Sequence, residues 1–157
     1  MIDASQLRLD VIRPVLTATG LWSQAAENLV LGTAAQESAC GKFVVQLKGG
    51  PARGIFQMEP DTLDDIYDNY LSYRDDLRGS IDAWLIGAID KAENLTVNLA
   101  YAALMCRVHY LRRAEPLPKA DDVHGMAAYW KRYYNTVHGK GTRQEFVENY
   151  ERYIGGA

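Results

Sequence analysis

The stretch TAAQESACGKFVVQLKGGPARGIFQMEPDT, residues 33–62, holds the sharpest change of pattern in the chain. It begins in a run of small apolar residues typical of a buried helix, and this run closes on Glu37. Residues 42–58 then lose the helical period and become short β-branched and aromatic segments, separated by the turn signal KGGP. The stretch therefore predicts a helix that ends near residue 39 and is followed by a β-hairpin at about 42–58.

Helical patterns surround this stretch on both sides. Apolar residues recur at helical spacing over about 5–18, 23–39, 61–79, 80–89, 96–113, 121–134 and 142–154. Pro14 is expected to kink the first of these helices or to start a second piece, and Gly32 would let a neighbour approach the second one closely. HGKG at 138–141 is a turn signal. The candidate N-terminal caps are Ser23, Asp121 or Asp122, and Thr142 with Glu145. The chain is therefore predicted to be α+β but predominantly α-helical, with about six to eight helices and one small β-hairpin. Its length fits a single domain over residues 1–157.

The composition excludes several classes of function. The 157 residues are 48% hydrophobic and 24% charged, with a formal net charge of −3 and a pI near 5.6, whereas nucleic-acid binding requires a basic face. No apolar run approaches the roughly 20 residues that span a bilayer. The start of the chain, MIDASQLRLD, lacks the pattern of a secretory signal. We therefore expect synthesis in the cytoplasm, no nucleic-acid partner and no membrane insertion, and the oligomeric state stays open.

The cysteines and histidines give no pattern of a metal or cofactor site. Cys40 and Cys106 are far apart in the sequence and are predicted to be free, small apolar residues. The histidines lack ligand spacing such as HExxH; they are His109, His124 and His138. We therefore expect the protein to bind no metal and no cofactor.

Glu37 is the candidate general acid. It follows Ala26, Val30 and Thr33 at steps of three or four, so it shares a helix face with apolar residues. It also lies in the last turn, where the helix dipole is negative. Burial and this dipole both disfavour the ionised carboxylate, so both raise its pKa. A glutamate that keeps its proton near neutral pH suits general acid catalysis; the alternative is a solvated glutamate at a fraying helix end.

The second predicted strand carries a family resemblance. GIFQMEPDT, residues 54–62, resembles a motif of the lytic transglycosylases of the lysozyme-like superfamily, and QES at 36–38 resembles that family's catalytic glutamate followed by serine. The fixed positions of the first motif hold Gly54, Gln57, Pro60 and Thr62, and its apolar positions hold Ile55, Phe56 and Met58. The two motifs stand in the family's order and near its spacing, so the resemblance covers about residues 29–62.

Beyond this stretch the chain departs from the family's pattern. The family carries a tyrosine and an asparagine after two small residues late in the chain. Here AAYW at 127–130 supplies Tyr129, but Trp130 replaces the asparagine. The family's asparagine upstream of a Tyr-Leu pair has no clear counterpart before Tyr110. These departures leave open whether the chain is a lytic transglycosylase or a hydrolytic lysozyme.

The resemblance implies cleavage of the β-1,4 bond between N-acetylmuramic acid and N-acetylglucosamine in peptidoglycan. Glu37 would protonate the glycosidic oxygen, then act as base on the muramoyl 6-hydroxyl, which closes onto the anomeric carbon as a 1,6-anhydro product. A hydrolase would need a second acidic group, for which Glu59 is the candidate. The substrate-binding residues that the resemblance implies are Ser38, Gly54, Gln57, Met58 and Tyr129.

Other interpretations stay open. The chain could be a non-catalytic wall-binding or structural module on the same fold, although the presence of Glu37 disfavours this. It could also act on chitin or on cationic chitosan, which would suit acidic residues such as Glu59 and Asp61. The small size and missing signal resemble bacteriophage enzymes. Such an enzyme would reach the bacterial cell wall, in the periplasm, as an endolysin released through a holin or as a virion component.

Overall fold

The computed structural model of the protein describes residues 1–135 and 139–155. The fold is predominantly α-helical. The α-helices are α1 (Ala4–Gln6), α2 (Arg13–Ala18), α3 (Gln24–Ser38), α4 (Pro60–Asn69), α5 (Asp75–Asp82), α6 (Lys91–Val97), α7 (Leu99–Leu111), α8 (Val123–Trp130) and α9 (Arg143–Ile154). Short 3-10 segments lie at Leu47–Gly49 and Leu71–Tyr73, and π-helical segments lie at Leu7–Ile12 and Lys131–Asn135.

Helix α3 runs through the centre of the hydrophobic core. Its N-cap is Ser23, whose Oγ accepts a hydrogen bond from the amide of Ala26, as predicted. It is buried along most of its length and packs against α7, α8 and α9. A Cβ on Gly32 would lie 2.7 Å from Cζ of Phe146 in α9, so only glycine lets α9 approach this closely. The predicted close approach at Gly32 is confirmed.

The N-terminal helix forms as three contiguous pieces: α1, the π-helical segment Leu7–Ile12, and α2. Pro14 lies in the first turn of α2. It has no N–H for an intrahelical bond, and its ring crowds the carbonyl one turn earlier. Proline and π-helical turns are both places where a helix departs from regular α-helical geometry. Pro14 therefore lies at the start of a second helical piece, which is one of the two predicted outcomes.

The predicted helix boundaries between 61 and 113 are wrong at four points. Helix α4 ends at Asn69, and α5 continues through Gly79, where the prediction placed a helix end. Residues 83–90 form turns rather than the rest of a helix. The long helix predicted at 96–113 is interrupted at Asn98, whose side chain accepts from the amide of Tyr101 and so caps α7. Asparagine competes with the helix for backbone donors, which favours a cap over a helix interior.

The predicted β-hairpin at 42–58 is not formed as a pair of strands among the described residues. The segment contains isolated antiparallel bridges, between Val45 and Arg53 and between Arg53 and Met58. Lys48 has a φ of 63° and Gly49 a φ of 77°. These left-handed backbone conformations cannot be part of an extended strand, so they interrupt the segment at its centre. The segment is therefore a compact loop with short β-like contacts.

The last two helices begin as predicted. Asp122 caps α8 through the amide of Gly125, and Thr142 forms a capping box with Glu145 at the start of α9. The turn predicted at 138–141 begins at His138, which lies outside the described residues.

Two expectations from the composition can be compared with the structure. Cys40 and Cys106 are both buried and free, as predicted. Within residues 1–135 and 139–155, no helix has both the length and the apolar character needed to cross a bilayer.

Candidate active site

The C-terminus of helix α3 delivers Glu37 to the edge of the core. Three successive residues with positive φ end the helix there: Ala39 at 51°, Cys40 at 53° and Gly41 at 81°. A left-handed residue is a common helix terminator, but it costs a residue other than glycine roughly 1–2 kcal/mol. Two such residues in a row persist only where the surrounding packing holds them. The backbone that carries Glu37 is therefore firmly positioned.

Ser38 fastens this turn to the neighbouring loop. Its hydroxyl donates to the carbonyl of Ile55 at 2.6 Å and accepts from the amide of Gly41 at 2.8 Å. The side chain is 1% exposed. Ser38 thus lies beneath the site and joins two parts of the backbone, and its predicted role in binding substrate stays a prediction.

The Gly54–Gln57 turn is the second part of the site. Gly54 has a φ of 72°, and a Cβ there would lie 2.0 Å from the carbonyl oxygen of Leu95, so no other residue fits. Gln57 also has a positive φ, 48°, and its Nε2 donates to the carbonyl of Gly54 at 2.7 Å. Arg53 and Met58 close the turn by exchanging both backbone hydrogen bonds. The motif residues therefore form one tight turn packed against α3 and α6.

A cleft of about 620 Å³ lies in front of Glu37. Its walls combine apolar side chains with amide, carboxylate and cationic groups, and such a mixture suits a polar ligand that also has apolar faces. The apolar walls include Phe43, Leu47 and Met58, and the polar groups include Gln57, Glu59, His109 and Lys140. The structure thus brings four predicted site residues to one cleft, namely Glu37, Gln57, Met58 and Glu59.

Trp130 holds the carboxyl group of Glu37. The indole Nε1 at the end of α8 donates to Glu37 Oε1 at 2.8 Å. Trp130 is fully buried, and its ring packs on Phe146 with centroids 5.4 Å apart. Sequence analysis noted Trp130 only as a departure from the family's asparagine. Trp130 is thus the direct hydrogen-bond partner of Glu37.

The environment of Glu37 favours the protonated form. Burial raises the pKa of Glu37 from 4.5 to about 7, and the hydrogen bond from Trp130 opposes part of this rise because it stabilises the anion. Within the described part of the chain, no lysine or arginine forms an ion pair with it. The rise in pKa has the direction predicted from the sequence. Glu37 can therefore both hold and release a proton near neutral pH.

Glu27, at the other end of α3, has the opposite environment, and sequence analysis missed it. It is fully buried, yet it accepts hydrogen bonds from Arg8, Arg13 and Trp22 at 2.7–3.0 Å. Burial alone would raise the pKa of Glu27, but these donors lower it to about 2. Glu27 is therefore ionised at neutral pH and links the N-terminal segment to α3. No local pattern signals it, because its partners are spread over residues 8–24.

Tyr129 points away from the cleft. Its hydroxyl donates to the carbonyl of Glu115 at 2.8 Å, and its ring packs against Tyr110 and Tyr133. Successive residues of a helix lie about 100° apart around its axis. The orientation of α8 therefore turns Trp130, rather than Tyr129, toward Glu37.

His109 and Tyr134 also line the cleft, and sequence analysis did not assign them to it. Burial and the nearby Arg112 and Arg113 lower the pKa of His109 to about 3, so it stays neutral. Its Nδ1 accepts from Arg112 at 3.0 Å. The hydroxyl of Tyr134 donates to the carbonyl of Phe56 at 2.8 Å and so braces the Gly54–Gln57 turn.

Glu59 lies at the exposed edge of the cleft. It is the N-cap residue of α4, but its side chain makes no capping hydrogen bond. It shares the cleft with Glu37 and is therefore available to a bound ligand.

Comparison of the chain with protein-family models, with curated proteins and with solved structures gave no match.

Proposed function

We propose that this protein is a peptidoglycan-cleaving glycosidase of the lytic transglycosylase type, with Glu37 as its single acid and base. The observation that carries the proposal is a cleft-lining glutamate whose pKa lies near 7 and which has no cationic partner within the described residues. A general acid for glycosidic cleavage needs this property. The choice of peptidoglycan rests on the resemblance of residues 36–38 and 54–62 to the family's motifs. A lysozyme-like fold, with residues 42–58 as its small wing, belongs to the same proposal.

In the proposed reaction the proton of Glu37 passes to the glycosidic oxygen, which leaves as the 4-hydroxyl of N-acetylglucosamine. The muramoyl ring then carries oxocarbenium character at C1. The Glu37 carboxylate takes the proton of the muramoyl 6-hydroxyl, whose oxygen bonds to C1. Glu37 is thereby returned to its protonated form, and no water is consumed. A group with a pKa near 7 suits both steps.

The surroundings of Glu37 support this use. Gln57 lines the cleft from a turn that its own side chain locks, so the amide is held in place for an acetamido or hydroxyl group of a sugar. Phe43 and Met58 offer apolar surface to sugar ring faces. The substrate is a glycan strand of the bacterial cell wall. Delivery as an endolysin through a holin, or within a virion, is part of the same proposal.

A hydrolytic lysozyme is the second candidate. The position of Glu59 on the same cleft favours it, since a hydrolase uses a second carboxylate to activate water or to stabilise the reacting sugar. The two candidates share Glu37 and differ in the product and in the need for Glu59.

The proposal is tested by the rate at which purified peptidoglycan sacculi release soluble muropeptides. We expect the wild type to release them and Glu37→Gln to lose at least about 100-fold in rate, because the amide cannot donate an acidic proton. Glu148→Gln, an exposed change on α9, is the matched control and should keep wild-type activity. Activity in Glu37→Gln equal to the wild type would refute the proposal.

A further inference from the structure

The hydrogen bond between Trp130 and Glu37 distinguishes the two oxygens of the carboxyl group. Trp130 Nε1 donates to Oε1 at 2.8 Å, and within residues 1–135 and 139–155 no hydrogen bond is formed to Oε2. An indole N–H is a donor only. When Glu37 is protonated, its carbonyl oxygen is the better acceptor, so the oxygen that faces the indole is the one without the proton.

We propose that Trp130 is a positioning residue that holds Oε1 of Glu37 as an acceptor and so keeps the acid proton on Oε2, the oxygen that exchanges protons with the substrate. This inference rests on the proposed catalytic role of Glu37. Trp130 touches no reacting atom and acts only through Glu37. When Glu37 is ionised, the same N–H keeps the carboxylate in the same rotamer, so Oε2 is ready to take the proton of the next step.

The packing of Trp130 makes the indole a rigid support. The ring is fully buried and lies against Phe146 of α9, and a Cβ on Gly141 would lie 2.6 Å from its Cη2. The indole is therefore enclosed by α9 on one face and by the chain at Gly141 at its edge. Because a side chain held this tightly loses little further entropy on making a hydrogen bond, its donor direction is set before substrate binds.

The chain supplies its own matched control. Trp22 Nε1 donates to Glu27 Oε2 at 2.7 Å, which is the same kind of bond at the other end of the same helix. The pKa of Glu27 is about 2, so that bond faces a carboxylate that does not titrate near neutral pH. Titration of Glu37 should therefore change the NMR resonance of the Trp130 indole and leave that of the Trp22 indole unaltered.

The first test needs only the folded wild type and no substrate. The ¹H–¹⁵N indole resonances of the tryptophans are followed from about pH 5 to about pH 9. We expect the Trp130 resonance to shift with a midpoint of about pH 7, the Trp22 resonance to stay constant, and the Trp130 shift to vanish in Glu37→Gln. A Trp130 resonance that stays constant while the carboxyl ¹³C signal of Glu37 titrates would overturn the inference.

The second test is Trp130→Phe, which removes the donor and keeps an aromatic ring against Phe146. We expect the pKa of Glu37 to rise by about one unit, because a hydrogen bond that favours the anion is lost. The basic limb of the pH–rate profile should shift to higher pH by the same amount. We expect kcat to fall about tenfold, while KM stays within about twofold. Trp22→Phe removes the equivalent donor from Glu27 and should leave both the limb and kcat in place.

The outcomes separate the two proposals. Loss of activity in Trp130→Phe without movement of the limb or of the Glu37 titration would reduce Trp130 to a packing residue and refute the inference alone. If Trp130 follows the titration of Glu37 but peptidoglycan is not cleaved, the proposed function fails while the hydrogen-bonded relationship stands.

Discussion

Glu27 and Glu37 lie at opposite ends of helix α3, and their pKa values move in opposite directions, to about 2 and about 7. Glu27 faces two arginines at the helix end where the dipole is positive. Glu37 faces one neutral indole at the end where the dipole is negative. Two glutamates on one helix thus become a fixed anion and a titrating acid, and the difference comes from their partners.

Glu37→Gln should be more stable than the wild type at about pH 8 and no more stable at about pH 4. The folded-state pKa of about 7 exceeds the ordinary value of 4.5, so the stability that protonated Glu37 contributes is fully present below pH 4.5 and lost as the pH rises through 7. At about 1.4 kcal/mol per unit of pKa shift, the wild type loses about 3 kcal/mol over this range relative to the variant. Urea unfolding of both proteins across this pH range measures it. A difference independent of pH would mean that Glu37 is an ordinary solvated glutamate.

Glu27→Gln should lower the free energy of unfolding by about 3–5 kcal/mol at neutral pH, because it leaves the partly buried Arg8 and its neighbour Arg13 without their anion. Glu27 has a lowered folded-state pKa. The stability it contributes is therefore present above its ordinary value of 4.5 and is lost as the pH falls toward 2. Denaturant unfolding measures both effects, with exposed Glu148→Gln expected to change stability by less than about 0.5 kcal/mol. Equal stability of the two variants would show that the Glu27 network contributes nothing.

Gly54→Ala should destabilise the protein by about 2–4 kcal/mol and abolish activity, because the new Cβ would collide with a backbone carbonyl and displace the turn that holds Gln57. Gly49→Ala is the matched control. Its φ of 77° is equally left-handed, but nothing lies within 4 Å of its Cβ position, so only a conformational cost of about 1 kcal/mol remains. Thermal unfolding and muropeptide release measure both variants. Similar effects at the two positions would contradict the close approach at Gly54.

Ser38→Ala should destabilise the protein by about 1–2 kcal/mol, since the carbonyl of Ile55 and the amide of Gly41 both lose a buried partner. A residue that fastens the backbone should lower kcat or stability with little change in KM. A residue that binds substrate should instead raise KM and leave stability unaltered. Urea unfolding together with KM on soluble glycan strands distinguishes the two roles, and a raised KM at unchanged stability would show that Ser38 binds substrate.

Local signals made several features predictable from the sequence. Ser23 before α3 and the Thr142–Glu145 pair before α9 act within one helical turn, so the sequence alone identifies them. The position of Glu37 at the end of a buried helix was also predictable, because the apolar pattern that precedes it is local in the sequence. The upward shift of its pKa followed from burial and from the helix dipole, both of which a short stretch of sequence indicates.

Long-range contacts were not predictable in this way. Trp130 and Glu37 are 93 residues apart in the sequence, and only the packing of α8 and α9 on α3 brings them together. The hairpin failed for a different reason. Val44 and Val45 have strand-like side chains but stay 42% and 43% exposed, so their burial does not favour an extended run. The left-handed residues Lys48 and Gly49, which follow them, therefore turn the chain instead.

The single-glutamate mechanism is tested most directly by mass spectrometry of the muropeptides released from purified sacculi in H₂¹⁸O by the wild type, by Glu37→Gln and by Glu59→Gln. We predict 1,6-anhydromuramyl ends without ¹⁸O from the wild type and from Glu59→Gln, and no such ends from Glu37→Gln. Reducing ends that carry ¹⁸O and disappear in Glu59→Gln would contradict the single-glutamate mechanism and establish a lysozyme with two carboxylates. Release of anhydro products by Glu37→Gln would contradict the central assignment itself.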